Sequence, residues 1–152
     1  MRTIGILVGF AAAAGGCGGG NDGAAADTTA VAPPSAGTAG ATHNVNMVLE
    51  GATSYRFVPA ELTVKVGDKV VFHNVSGGPH NVAFWPDSIP AGAQAMLEPQ
   101  IPNPIGPLSS ELLVDPNATL TISFTAAPNG EYRFTCTPHM AMAMNGKITV
   151  VP

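Results

Sequence analysis

From residue 43 onward, apolar residues alternate in short runs, and Gly, Pro or Asn closes most of them. Such alternation turns one face of a strand inward, whereas a helix repeats its faces every 3.6 residues. Residues 44–49 (NVNMVL), 62–66 (LTVKV), 69–72 (KVVF), 81–84 (NVAF), 120–124 (LTISF), 132–136 (YRFTC) and 148–151 (ITVV) are expected to be strands. Leu62, Val64 and Val66 should share an inward face, as should Leu120, Ile122 and Phe124, and Tyr132, Phe134 and Cys136. The register of the first run is ambiguous, because Val48 breaks the alternation of Val45 and Met47. Gly67 and Asp68 supply a turn. No stretch sustains a helical period with capping signals. The expected fold class is all-β, a sandwich of about seven to eight strands.

Two stretches break this rhythm. Residues 86–117 hold seven of the chain's 14 prolines. Proline donates nothing to a ladder, so this insertion should run as loop or edge with at most a short turn of helix. Its Ile, Leu and Met side chains should pack down on the sandwich; a functional loop and an inert insertion are equally open. The other stretch is residues 1–42. Residues 4–14 (IGILVGFAAAA) form an apolar run too short to span a bilayer but sized like a signal-peptide core. Ala14, Gly15 and Gly16 then lead into Cys17, as in a bacterial lipoprotein signal, with Ala14 where leucine is usual. Residues 1–16 are accordingly expected to be a lipoprotein-type signal, with Cys17 lipidated and the domain held on the periplasmic side of a membrane. The alternative is an ordinary secretory signal with Cys17 left in the tail. Residues 17–42, nearly all Gly, Ala, Ser, Thr and Pro, offer nothing large to bury and should form a flexible tether. That leaves one domain, residues 43–152.

Charge narrows the partners. The formal net charge is −4, without the basic stripe a nucleic-acid binder needs. Residues 43–152 carry five basic and eight acidic side chains in no clear block, so docking of partners should be apolar.

The chemistry lies near the C-terminus. Residues 136–144 read CTPHMAMAM: a thiol, an imidazole three residues on, and thioethers at Met140, Met142 and Met144. His80 stands upstream in GGPHNVAF. Taken singly, a buried cysteine, a turn histidine and core methionines would be unremarked. Taken together, one thiolate, two imidazoles and a thioether are the donor set of a blue-copper centre. Zinc also takes Cys and His, but it has little use for a thioether, and no carboxylate lies in this loop to serve as a base. His43 and His73 are not expected to be ligands.

CTPHMAMAMNGKITV resembles the C-terminal signature of the cupredoxins, in the plastocyanin and pseudoazurin branch. PHNVAF resembles the same family's first-histidine segment, and YRFVPAELTVKVGDKVVFHN its early strands. The resemblance covers about residues 44–152, apart from most of 86–117. It implies a Greek-key β-sandwich holding one copper ion that cycles between Cu(I) and Cu(II), with His80, Cys136, His139 and Met144 as ligands. Met142 remains the alternative axial ligand. The resemblance also implies that Asn81 ties the His80 loop to the Cys136 loop. Pro138, lacking an N–H, would leave the sulfur short of one donor. Met140, Ala141 and Met142 would form an apolar docking patch at the edge of His139. The implied function is single-electron transfer between exported redox partner proteins by a monomer, with no catalysis, small-molecule substrate or nucleic acid. A periplasmic copper storage or delivery protein is the alternative, suggested by the three methionines. A multicopper oxidase domain would need more histidines than the four present.

Overall fold

The computed structural model describes residues 40–152. The signal-like run, Cys17 and residues 17–39 of the low-complexity segment lie outside the described residues. Eight strands follow in order: β1 (Thr42–Glu50), β2 (Ser54–Val58), β3 (Glu61–Lys65), β4 (Lys69–Asn74), β5 (Ala83–Phe84), β6 (Thr119–Ser123), β7 (Gly130–Thr135) and β8 (Asn145–Val151). One sheet has the order β2-β1-β4-β6 and the other β3-β8-β7-β5. The pairs β1–β4 and β3–β8 are parallel and the remainder antiparallel. The fold is an all-β sandwich.

Inward side chains of both sheets make the core. Phe57 of β2 and Phe72 of β4 meet Phe134 of β7 edge-on, at centroid distances of 4.8 and 5.4 Å. Each buried ring contributes about 1.5–3 kcal/mol by leaving water. Edge-to-face contact adds about 0.5–1.5 kcal/mol per pair. Gly146 of β8 lies under Phe134, and a Cβ there would collide with the ring. The trios at Leu120, Ile122, Phe124 and at Tyr132, Phe134, Cys136 are buried as their alternation requires. In β1, Val45 and Met47 turn inward and settle the register.

Four expectations need correction. Strand β2 was not among the runs read from alternation, although it lies in the segment that resembles early strands: only Tyr55 and Phe57 face inward before Pro59 ends it. The run 81–84 is a strand only at Ala83–Phe84, because Asn81 and Val82 pair with the insertion instead. Val66 is 41% exposed, since β3 ends at Lys65 and the chain turns at Gly67. Strand β1 takes in a residue assigned to the segment before it: it starts at Thr42, and the Ala41 N–H donates to Asp68 Oδ1 at 2.7 Å.

The insertion folds onto the sandwich. It contains a short helix, α1 (Ala93–Leu97), flanked by 3-10 turns at Pro86–Ser88 and Glu98–Gln100. Ala93, Leu97, Ile101, Leu108 and Leu113 are buried, while Ile105 and Leu112 stay exposed. Gln100 pairs with the backbone of Ser123 in both directions, at 2.7 and 3.0 Å, occupying part of the free edge of β6. Residues 108–113 run beside the His80 segment: Leu113 and His80 exchange backbone hydrogen bonds at 2.7 and 3.2 Å. The segment that presents the first histidine is therefore held by the insertion.

Candidate metal centre

Two loops meet at one end of the sandwich, one leaving β4 and the other leaving β7. The first carries His80. Its Nε2–H donates to the Ser76 carbonyl at 2.9 Å, and because a carbonyl only accepts, that nitrogen carries the proton. Nδ1 keeps its lone pair and faces the Cys136 sulfur at 3.6 Å. The second loop, a 3-10 turn at Thr137–Met142, begins directly after Cys136. Pro138 suits its first turn, where a backbone N–H would lack a partner anyway. The turn brings His139 back over the cysteine, with Nδ1 at 3.3 Å from Sγ. The ligand atoms of His80, Cys136 and His139 all lie within 4.8 Å of one another, and all three residues are buried.

The electrostatics suit a soft metal ion. Burial pushes the Cys136 thiol above its ordinary range, while backbone N–H groups of Asn81 and His139 pull the other way. Pro138 contributes no such donor. Burial, and then the neighbouring His80, lower His139, keeping a neutral imidazole with a lone pair to donate. Among the described residues, no carboxylate joins the cluster. Two imidazole nitrogens and a sulfur converging without a carboxylate fit copper better than a hard cation.

The loop separates its three methionines. Ala143 adopts the left-handed conformation, φ 56°, and reverses the chain after Met142. Met140 and Met142 are left outside, 54% and 47% exposed. Met144 turns into the core at 1% exposure, and its carbonyl accepts the Cys136 N–H at 3.0 Å. Pro138 and Ala141 are exposed beside Met140 and Met142. His43 and His73 stand apart from the cluster: His43 bonds Asp68 at 2.8 Å and His73 bonds Asn44 at 2.8 Å.

Asn81 joins the loops. Its Oδ1 accepts the Thr137 N–H at 2.7 Å. Its amide donates toward Thr137 Oγ1, Ser109 Oγ and Ser110 O, at 3.0–3.2 Å. The sequence pointed to two loops, and the structure adds the insertion as a third. Ser76, Thr137, Ser109 and Ser110 carried no signal of their own. Neither did Tyr55 of β2, whose ring lies 3.7 Å from the His139 ring, nearly parallel at 12°. The alternation Tyr55-x-Phe57 could have placed it inward.

Residues 43–151 match a family described as copper binding proteins, plastocyanin/azurin family. A plastocyanin from Rumex obtusifolius is 39% identical over 94 residues, 62% of this chain and 86% of that protein. Among solved structures, oxidised plastocyanin from Dryopteris crassirhizoma superimposes with a TM-score of 0.52 at 28% identity, covering 71% of this chain and 99% of that one. A pseudoazurin from Sinorhizobium gives a TM-score of 0.51 at 26% identity, covering 73% and 74%.

Proposed function

The chain belongs to the plastocyanin/azurin family of copper-binding proteins, and from that premise we propose that it is a single-electron carrier working through one copper ion. Members of this family are electron carriers, not enzymes, and they work with redox partner proteins. The observation that carries the reading is the convergence of His80 Nδ1, His139 Nδ1 and Cys136 Sγ in a buried cluster. Met144, inward on the same loop, would supply the thioether. The copper supplies the one-electron chemistry, and the protein's part is to hold the donors still. The Ser76 carbonyl fixes the His80 ring and Asn81 fixes the loops, so little needs to move when the charge changes.

Met140, Ala141 and Met142 are exposed on the same turn as the buried His139, and they would form the apolar surface on which partners dock. Two exposed thioethers beside a copper ligand also favour a second reading, delivery of Cu(I) to an acceptor. Burial of the cluster favours retention. From the sequence of residues 1–42 comes the further proposal that the protein is exported, anchored through lipidated Cys17, and works as a monomer at the end of a tether.

The test is to load the protein with one equivalent of copper and cycle it between ascorbate and ferricyanide beside a Cu(I) chelator. An electron carrier keeps its copper through repeated cycles. Transfer of copper to the chelator at each reduction would favour delivery and contradict the carrier.

A further inference from the structure

The two histidines of the cluster are held in different ways. The ring of His80 is fixed by a hydrogen bond from Nε2 to the Ser76 carbonyl. The ring of His139 has no hydrogen bond to an oxygen among the described residues; its Nδ1 meets only the Cys136 sulfur. Tyr55 lies against its face instead, with centroids 3.7 Å apart and planes 12° apart. Aromatic pairs more often sit offset or edge-on at about 4.5–7 Å, so this overlap is close. Tyr55 is itself braced from behind. Its strand partner in β1 is Leu49, and the loop at Gly77 passes over both residues. Gly77 has φ +77°, and a Cβ there would collide with Leu49 and come within 3.3 Å of Tyr55 Cε1. The phenol ring is thus fixed between the Gly77 loop and His139.

From this we infer that Tyr55 is a positioning residue: its ring does for His139 what the Ser76 carbonyl does for His80, setting the plane of the imidazole before a metal arrives. The hydroxyl takes no part, since it makes no hydrogen bond among the described residues; the ring face is what acts. An electron-rich face against an imidazole also stabilises positive charge on that side, more for Cu(II) than for Cu(I). The second consequence rests on the copper reading above. The first does not.

The experiment compares wild type, Tyr55→Phe and Tyr55→Leu. In the metal-free wild type, the His139 ring protons resonate upfield of those of His73, because they lie over the Tyr55 ring. Tyr55→Phe keeps that shift; Tyr55→Leu loses it, and ring relaxation reports a more mobile imidazole. With copper bound, all three proteins show the thiolate band, Tyr55→Phe keeps the wild-type potential, and Tyr55→Leu has a higher one. An unshifted His139 in the wild-type protein would overturn the inference without any variant. So would a Tyr55→Leu protein whose His139 resonances and potential match wild type, or a Tyr55→Phe protein that behaves like Tyr55→Leu. Absence of the thiolate band from the wild type would instead count against the copper reading and leave the metal-free result to stand or fall separately.

Discussion

At Cys136, neighbouring side chains settle what the sulfur can do. Two ring nitrogens face it, and the adjoining loop is fastened by a single asparagine. Replacing Asn81 by Ala leaves the part-buried Thr137 N–H without its acceptor, a loss of about 0.5–1.5 kcal/mol. Thermal unfolding of the metal-free variant should show a Tm lower by about 4–8 °C per kcal/mol; a Tm equal to wild type would mean that Asn81 does not tie the loops. The methionines offer a sharper contrast. Met144→Leu should retain a copper band but shift it and raise the potential, because a weak thioether donor to the oxidised ion is gone. Met142→Leu should leave spectrum and potential as they were, and the reverse outcome would assign the thioether to Met142. Much of this was legible in residues 136–144, because ligand types clustered within one loop announce themselves. Tyr55 was legible only as an inward residue of the Tyr55-x-Phe57 alternation; its meeting with His139 follows from the tertiary fold and leaves no mark in the local sequence.

Among the elements, the loop from Cys136 to Met144 depends on one unfavourable residue. Ala143 sits at φ 56°, where a side chain costs about 1–2 kcal/mol. Gly relieves that strain but adds about 0.4–1 kcal/mol of unfolded-state entropy. Ala143→Gly should therefore stabilise the protein by about 0.5–1 kcal/mol in chemical denaturation. A destabilised variant would show that the Ala143 methyl does more than tolerate the turn. The β3–β4 turn contributes to the pH dependence. Asp68 accepts N–H groups from Lys65 and Ala41 and bonds His43, which together hold its carboxyl below the ordinary 3.8. A depressed folded pKa contributes stability that is complete above the unfolded value and is lost as pH falls through the folded one. Urea unfolding should thus show wild type losing stability below about pH 4, while Asp68→Asn is less stable at pH 7 and flatter in that acid range. Equal acid slopes would remove Asp68 from this role. Strands with three inward residues could be read from alternation, as at Leu120, Ile122 and Phe124. β2 has only two inward residues before Pro59, and the pairing of 80–84 with the insertion joins segments too irregular to leave a period.

For the whole molecule, the sandwich serves to bring loops from distant parts of the chain to one end and keep them there. Phe57, Phe72 and Phe134 lock the two sheets beneath the site, and the insertion braces the His80 segment from the side. The all-β architecture was legible because alternation runs through most strands. The insertion's path was not, because seven prolines leave no periodicity to follow. What the fold delivers is one thiol held between two imidazoles, and a thiolate bound to Cu(II) has a signature no other metal in this site would give. The most direct test is the visible spectrum of the metal-free protein, residues 40–152, titrated with Cu(II). An intense blue band should grow to saturation at one copper per chain, bleach with a reductant, return with an oxidant, and be absent in Cys136→Ser. A protein that binds copper yet stays colourless, or a band that survives loss of Cys136, would contradict the assignment of the centre.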